Sequence, residues 1–359
     1  MDRRDFLKTS GAAAAVAALP WHGALAASGW RTFETMTRVE VINPSGRTLA
    51  WVPLPLAEHT GWFRDLSSRW SGNADAGVER DQKYGARVLV AEWRAGQSNP
   101  VVEVMNRFMT RDRALDLSAA PDPALKLTAA ERTFHTAPTE LIPTDGIVRE
   151  TALEATRGAR TDVQKARAIY DWVVDNTFRD PKTRGCGWGD VKSMLESGNL
   201  GGKCGDLNAM FVGLARAAGV PARDIYGVRV APSEYGYKSL GAGSANISKA
   251  QHCRAEFFAE GYGWVPVDPA DVRKVILEEP PGKLAIDDPK VVAARKRLFG
   301  GWEMNWLAYN TAHDVALPGS SGPKLPYLMY INAESGGERR DQLDPDSVRY
   351  SITVREVTA

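Results

Sequence analysis

The chain has 359 residues, enough for about two domains, and its hydrophobic fraction of 43% fits an ordinary globular protein. Its 45 basic and 44 acidic residues leave a net charge of +1, and no basic stripe or charged tail interrupts this balance. Nucleic acid is therefore excluded as an expected partner. No run of about 20 apolar residues predicts a membrane span, and the oligomeric state is left open.

Residues 1–26 have the pattern of an export signal. Arg3-Arg4 precede the apolar run Gly11 to Leu19 and the small-residue site Ala24-Leu25-Ala26. This order is similar to a twin-arginine signal peptide. We therefore expect a bacterial protein that is exported by the twin-arginine pathway and is periplasmic or secreted, with the mature form beginning near Ala27.

Residues 30–115 are expected to form a β-sandwich-like domain. Segments with alternating or β-branched residues predict antiparallel strands at Thr35 to Ile42, Thr48 to Pro53, Ala86 to Trp93 and Val101 to Thr110. Asn43-Pro44-Ser45-Gly46 is typical of a turn between the first two. Residues 116–144 are rich in Ala, Pro and Thr and are expected to link this domain to the next.

Residues 145–280 have a different, partly helical pattern. Thr161 to Asn176 is predicted to be a helix because Ala166, Ile169 and Val173 fall on one face. A second helical stretch, Leu207 to Ala218, stops at Gly219-Val220-Pro221.

Cys204 opens this second helix, in the run Gly201-Gly202-Lys203-Cys204-Gly205-Asp206. The unpaired N–H groups and the positive dipole end of a helix N-terminus favour an anion. We expect them to lower the pKa of the thiol and to raise its thiolate fraction. Cys204 is therefore a candidate nucleophile.

Two predicted strands downstream carry candidate partners for the thiol. Gln251 to Phe258 and Trp264 to Asp268 are joined by the hairpin residues Gly261-Tyr262-Gly263. His252 begins the first strand and Asp268 ends the second, so antiparallel pairing should bring them side by side. An imidazole held by a carboxylate is the base that a catalytic thiol requires. A cysteine that only packs and a histidine with a structural role are the alternatives.

Two further cysteines are expected to lie apart from this chemistry. Successive strand residues face opposite sides, so Cys253 should point away from Cys204 if His252 points toward it. Cys186 lies in the loop Arg184 to Trp188. An oxidising compartment would permit a Cys186–Cys253 disulfide, and two unlinked thiols are the alternative.

Residues 281–359 are expected to form a C-terminal extension. Tyr327 to Ile331 and Val348 to Val354 are predicted strands that either complete the core sheet or pack against the N-terminal domain. The spacing of Trp302, Trp306 and Tyr309 is helical and indicates core packing. Upstream, Ser239 to Lys249 is glycine-rich and is expected to form a loop over the thiol.

In these residues the chain resembles the transglutaminase-like superfamily, whose papain-like core uses Cys, His and Asp in this chain order. The motifs that carry the resemblance are Gly202-Lys203-Cys204, Gly219-Val220-Pro221-Ala222-Arg223, His252 and Asp268, with Asp190 to Leu200 similar to the family's lead-in. The resemblance spans about residues 145–275. It implies an α+β fold in which the helix carrying Cys204 packs on an antiparallel sheet, and catalytic roles for Cys204, His252 and Asp268.

The chemistry that the resemblance implies is attack of the Cys204 thiolate on an amide carbonyl of a protein or peptide, giving a thioester acyl-enzyme. Water as second substrate makes a peptidase or amidase, whereas an amine makes a protein-crosslinking transglutaminase. We favour hydrolysis because water is abundant in the envelope and crosslinking needs an amine site that excludes it. A non-catalytic peptide-binding or assembly module on the same fold is the contrasting hypothesis.

Stabilisation of the oxyanion needs donors near the attacked carbonyl, and the backbone N–H of Cys204 is the natural first one. Papain-like enzymes generally carry a Gln shortly before the cysteine, but here that stretch is Ser197 to Leu200, and Asn199 is the candidate. No cofactor is expected. The five histidines include no His-x-x-x-His pair, the three cysteines include no Cys-x-x-Cys pair, and no EF-hand loop is present.

Overall fold

The computed structural model describes residues 29–357, so the expected signal peptide lies outside the described residues. The helices are α1 (Ala129–Thr136), α2 (Gly146–Ala155), α3 (Asp162–Asn176), α4 (Val191–Ser197), α5 (Cys204–Ala217), α6 (Pro269–Glu278) and α7 (Pro289–Arg297). The strands are β1 (Arg31–Val41), β2 (Thr48–Pro53), β3 (Phe63–Gly72), β4 (Asp75–Arg80), β5 (Arg87–Trp93), β6 (Val101–Thr110), β7 (Arg113–Ala114), β8 (Phe178–Arg179), β9 (Gly201–Gly202), β10 (Ala222–Arg229), β11 (Gln251–Ala259), β12 (Gly263–Val267), β13 (Gly301–Trp302), β14 (Trp306–Asn310), β15 (His313–Val315), β16 (Leu325–Tyr327), β17 (Asn332–Ser335), β18 (Glu338–Arg339) and β19 (Val348–Glu356).

Two antiparallel sheets dominate the N-terminal part of the fold. One has the strand order β19-β1-β6-β3 and the other β18-β17-β2-β5-β4. Apolar side chains from both sheets share one buried cluster, including Phe33, Val52, Leu89 and Phe108. The predicted strands at β2 and β6 have the observed bounds. Buried and partly exposed residues alternate along β6, which has one buried face, whereas β2 is buried on both faces. Strands β3 and β4 were not predicted, since most of their side chains are polar and exposed.

The C-terminal extension contributes strands to both parts of the molecule. β19 pairs with β1 and β17 pairs with β2, whereas β14 pairs with β10. The predicted strand Tyr327 to Ile331 is wrong, because β16 ends at Tyr327 and β17 begins at Asn332. The four apolar residues between them are buried in loop conformation, so burial there does not come from strand pairing. The domain boundaries expected from the sequence remain a proposal.

The second part of the fold is a mixed helix and sheet unit. Its sheet has the order β12-β11-β10-β14, and α5 packs against β10 and β11. Every residue of α5 is buried, which is typical of a helix that runs through the centre of a core. Helix α3 begins and ends as the sequence predicts, with a capping box formed by Thr161 and Gln164.

Two segments differ from their sequence-based predictions. The expected linker, residues 116–144, contains α1, whose N-terminus has a capping box formed by Thr128 and Glu131. Trp302, Trp306 and Tyr309 lie on β13 and β14 and not on a helix, although all three are buried as expected. Trp302 and Trp306 lie on two separate short strands, so their four-residue spacing does not reflect a helical turn. Within residues 29–357, no helix is long and apolar enough to cross a membrane.

Candidate active site

Cys204 is the first residue of α5 and is 4% exposed. The loop that precedes α4 is bound to this end of the helix. Asp206 accepts hydrogen bonds from the backbone N–H groups of Trp188 and Gly189, each at 3.0 Å, and from that of Lys203 at 3.0 Å. The N–H of Gly205 donates to the Cys186 carbonyl at 2.8 Å. These bonds fix the position of Cys204 relative to the loop that carries Cys186.

His252 and Asp268 meet where β11 begins and β12 ends. The pairing Ala255 with Val267 sets the register, and His252 Nε2 lies 2.7 Å from Asp268 Oδ2. Because Nε2 is bonded to this carboxylate, Nδ1 is the ring nitrogen left for another partner. His252 and Cys204 line the same cleft, and the imidazole is close enough to lower the pKa of the Cys204 thiol. The structure therefore brings the three predicted residues together in one chain of contacts.

Asp268 is held in place by its position at the start of a helix. It is the N-cap residue of α6, and its Oδ1 accepts the backbone N–H of Asp271 at 3.0 Å. The same oxygen accepts Asn208 Nδ2 at 3.3 Å, and Pro269 occupies the first turn. One carboxylate oxygen thus caps the helix while the other binds the imidazole.

Asp271 and Arg229 belong to the same buried cluster, and sequence reasoning missed both. Asp271 Oδ2 lies 3.4 Å from His252 Nε2, and Asp271 Oδ1 accepts a hydrogen bond from Arg229 at 2.6 Å. The sequence Asp268-Pro269 is a helix-start signal, and a residue three positions further lies on the same side of the first turn. That signal could have identified Asp271. Arg229 sits at the end of β10 and no local pattern distinguishes it.

The charges around His252 favour its protonated form. Burial and the neighbouring Arg229 lower the pKa of His252, but the Asp271 and Asp268 carboxylates outweigh them and raise it to about 10. Burial and the proximity of Asp271 raise the pKa of Asp268. The pKa of Asp271 lies well below its usual value, because Arg229 and His252 stabilise the carboxylate more than burial disfavours it.

The three cysteines form a cluster, which overturns the expectation that Cys253 faces away from Cys204. The sulfur atoms of Cys186, Cys204 and Cys253 all lie within 4.8 Å of one another, and all three are free thiols. The Cys186–Cys253 disulfide is therefore not formed in the structure, and the alternative of unlinked thiols describes it.

Cys253 can approach Cys204 because Cys204 lies beside a free strand edge. β12 pairs with β11 only from Ala255 onward, which leaves residues 251–254 without a partner on that side. Asn208 of α5 donates to the Cys253 carbonyl at 2.8 Å, and the Cys186 thiol contacts the Gln251 carbonyl at 3.5 Å. Successive side chains of a strand point to opposite faces of the sheet. A group that lies at the edge of the sheet, however, can contact side chains from both faces.

Among these thiols, Cys204 is the one that favours the thiolate. The neighbouring Cys186 and Cys253 thiols and then the His252 imidazole lower the pKa of Cys204 well below its usual value, although burial opposes them. The proximity of Cys204 raises the pKa of Cys186, and burial raises the pKa of Cys253. The cluster therefore contains one thiol whose surroundings favour the thiolate, beside two whose surroundings favour the neutral thiol.

Cys204 and His252 line a cleft of about 690 Å³. The glycine-rich loop forms one part of its wall through Gly241, Gly243 and Lys249, as the sequence led us to expect of that loop. The C-terminal extension contributes Tyr330, Leu343 and Tyr350. Asn199 is not among the lining residues.

Asn199 is instead exposed, and its side-chain oxygen accepts the backbone N–H of Gly201 at 3.2 Å. It stabilises a local turn, so the structure does not bring its amide into the cleft. The backbone N–H of Cys204 takes part in none of the hydrogen bonds found among residues 29–357 and is the donor that remains.

Two sets of metal-ligating atoms occur at this site in the described part of the chain. They are the three cysteine sulfurs and the His252, Asp268 and Asp271 group, with ligand atoms within 4.8 Å in each set. The first has the soft donors typical of zinc or copper(I), but a metal there would occupy the Cys204 thiolate. In the second, the atoms already bond one another and Arg229.

Comparisons with known proteins agree with this architecture. Residues 149–269 match the family described as the transglutaminase-like superfamily, and residues 1–20 match the twin-arginine translocation pathway signal sequence. The chain is 38% identical over 328 residues to an uncharacterized protein of Haemophilus influenzae, with 87% of each chain covered.

A solved structure shows the same fold. A candidate cysteine protease from Cytophaga hutchinsonii superposes with a TM-score of 0.53 at 14% identity, covering 91% of this chain and 98% of that one. The periplasmic domain of TgpA from Pseudomonas aeruginosa matches at 15% identity with a TM-score of 0.34, covering 74% and 92%. On the family match, the close relative and the fold, this chain belongs to the transglutaminase-like superfamily and carries a twin-arginine export signal.

Proposed function

We propose that this protein is an exported cysteine enzyme that hydrolyses amide bonds in proteins or peptides of the cell envelope. The observation that carries the proposal is the chain of contacts from Cys204 to His252 to Asp268, with the first two lining an open cleft. Such a chain supplies a nucleophile, a base and a group that orients the base.

In the first step, the Cys204 thiolate attacks the carbonyl carbon of the substrate amide. The protonated His252 gives its proton to the leaving nitrogen, the C–N bond breaks, and a thioester remains on Cys204. The backbone N–H of Cys204 stabilises the oxyanion. The Asp268 carboxylate keeps the ring oriented with Nδ1 toward the sulfur, because it binds Nε2.

In the second step, water attacks the thioester carbonyl. His252 takes the proton from this water, the carboxylic acid leaves, and the thiolate and imidazolium are restored. Transfer to an amine, which would crosslink proteins, uses the same acyl-enzyme and differs only in the second nucleophile. We favour water because it is abundant in the periplasm, where we propose that the protein acts.

The proposal is tested by the rate at which iodoacetamide alkylates Cys204 as a function of pH, followed by mass spectrometry. A thiolate stabilised by His252 gives a rate plateau that begins well below pH 8.5, the ordinary thiol pKa. We expect His252→Ala to shift the midpoint upward by more than one pH unit. His59→Ala, which changes an exposed histidine, is the matched control and leaves the profile unchanged.

A Cys204 that titrates like a free thiol, or that does not react in the folded protein, would contradict the enzymatic proposal. The contrasting function, a peptide-binding or assembly module, would then be favoured. It predicts that a strain carrying Cys204→Ala keeps the wild-type phenotype.

A further inference from the structure

The cleft above Cys204 is strongly cationic. Among the residues that line it are six with basic side chains and none with an acidic one; the basic residues are Arg179, Arg184, Lys203, Arg229, Lys249 and Lys274. The whole chain, by contrast, has 45 basic and 44 acidic residues. The positive charge of the cleft is therefore a local feature and does not follow from the composition of the protein.

Carboxylates outside the cleft lining neutralise only part of this charge. Arg229 pairs with Asp271, Arg184 pairs with Asp341 at 2.5 Å, and Arg179 and Lys274 share the single carboxylate of Glu278. Lys203 and Lys249 form no ion pair with any residue between 29 and 357. Six basic side chains are thus paired with only three carboxylates, and the positive charge that is not neutralised lies on groups that reach solvent.

The two unpaired lysines line the same cleft as the reacting groups. Lys203 directly precedes Cys204, and Lys249 lies three residues before His252. Cationic clefts with low-dielectric walls concentrate anionic ligands and speed their association. An acidic group on a substrate bound across Cys204 would find a lysine on the side of the helix and another on the side of the loop.

We infer that the substrates are acidic peptides, with carboxylate groups near the amide bond that is cleaved. This inference rests on the proposed function, since it assigns a substrate class to the same site. Lys203 and Lys249 bind these carboxylates and are positioning residues, because neither takes part in bond making or proton transfer.

The first experiment compares alkylation of Cys204 by iodoacetate, an anion, with alkylation by iodoacetamide, its neutral analogue. The ratio of the two rates cancels changes in thiol reactivity and reports the field of the cleft. We expect the double variant Lys203→Gln/Lys249→Gln to lower this ratio about 3-fold or more at low salt, and added salt to lower it in the wild type. Lys126→Gln removes the charge of an exposed lysine outside the cleft and leaves the ratio unchanged.

The second experiment measures binding of dansylated peptides to Cys204→Ala by fluorescence anisotropy. The peptides Ala-Glu-Ala-Glu-Ala and Ala-Gln-Ala-Gln-Ala differ only in charge. We expect the acidic peptide to bind at least about 10-fold more tightly, and Lys203→Gln/Lys249→Gln to remove that preference.

Equal binding of the two peptides, or a rate ratio that the lysine variants do not change, would overturn the inference while a reactive Cys204 leaves the proposed function intact. If Cys204 does not react with iodoacetamide, the proposed function fails, and peptide binding alone then decides whether the cleft selects acidic ligands.

Discussion

At the scale of single residues, the site depends on buried charges that compensate one another. Arg229 and Asp271 are 4% and 2% exposed and form an ion pair next to His252. Desolvated charges are tolerated only when they are paired, so each member of the cluster depends on the others. The pKa of His252, raised to about 10, is a consequence of this arrangement.

We predict that Asp271→Ala lowers the free energy of unfolding at pH 7 by about 3–5 kcal/mol, because it leaves Arg229 buried without its carboxylate. The pKa of Asp271 is depressed, so its stabilisation is present above the unfolded value and is lost as pH falls through the folded value. Urea denaturation from pH 7 to pH 3 should therefore show that the difference in unfolding free energy between Asp271→Ala and the wild type narrows only below about pH 4.

The control for this prediction is Glu196→Ala, which breaks the exposed pair of Lys192 and Glu196 on α4. That change should cost only about 0.2–0.5 kcal/mol. Equal costs for the buried and the exposed pair would contradict the account of the buried cluster.

At the scale of elements, the start of α5 is fixed by the loop that carries Cys186. Gly187 in this loop has a φ of +91°, and a Cβ built on it would lie 1.8 Å from Asp206 Oδ2. Only glycine leaves room for the Asp206 carboxylate, which accepts the N–H groups of Trp188 and Gly189. The tight fit of one loop glycine therefore positions the helix end that bears the thiol.

We expect Gly187→Ala to lower the free energy of unfolding by about 2–4 kcal/mol, combining the strain of positive φ with the cost of overpacking. Gly158→Ala is the matched control, because Gly158 has a φ of +85° but nothing within 4 Å of a Cβ. It should lose only about 1–2 kcal/mol from strain. Thermal unfolding measures both, and similar losses in the two variants would show that the contact with Asp206 does not matter.

At the scale of the whole molecule, the β-sandwich sheets and the sheet of the site share one hydrophobic cluster. It contains Phe33 of β1 and Ile352 of β19 together with Val228 of β10 and Trp306 of β14. Ile352 also accepts the backbone N–H of Ile247 at 2.8 Å, which ties the C-terminal strand to the loop lining the cleft. The stability of the site is thus coupled to that of the sandwich.

This coupling predicts the effect of Ile352→Ala, which truncates a side chain that is 1% exposed. Ile352→Ala should lower the free energy of unfolding by about 2–5 kcal/mol. The control Ile286→Ala, at a site that is 43% exposed, should change the free energy of unfolding by less than about 0.5 kcal/mol. Denaturation can be followed by tryptophan fluorescence and by the accessibility of Cys204. Both readouts should give the same midpoint, and Ile352→Ala should lower that midpoint equally in both. Two separate transitions would show that the sandwich and the site unfold independently.

Local patterns in the sequence were sufficient for two of the helices and for several of the strands. Strands β2 and β6 and helix α3 follow from alternation, helical periodicity and a capping residue, all of which act over a few neighbours. Strands β3 and β4 were missed because their exposed, polar residues give no apolar period. The hairpin of β11 and β12 could likewise be predicted, since its turn and its two apolar strands are contiguous in the chain.

The family, the export signal and the candidate nucleophile could be inferred from the sequence, because each depends on residues that are close in the chain or on an ordered series of motifs. Three arrangements became visible only in three dimensions. Cys186 and Cys253 approach Cys204, and Asp271 and Arg229 lie beside His252. In addition, six basic side chains line one cleft. These arrangements join residues from separate elements at a free strand edge. Packing and desolvation select them, and neither acts between neighbours in sequence alone.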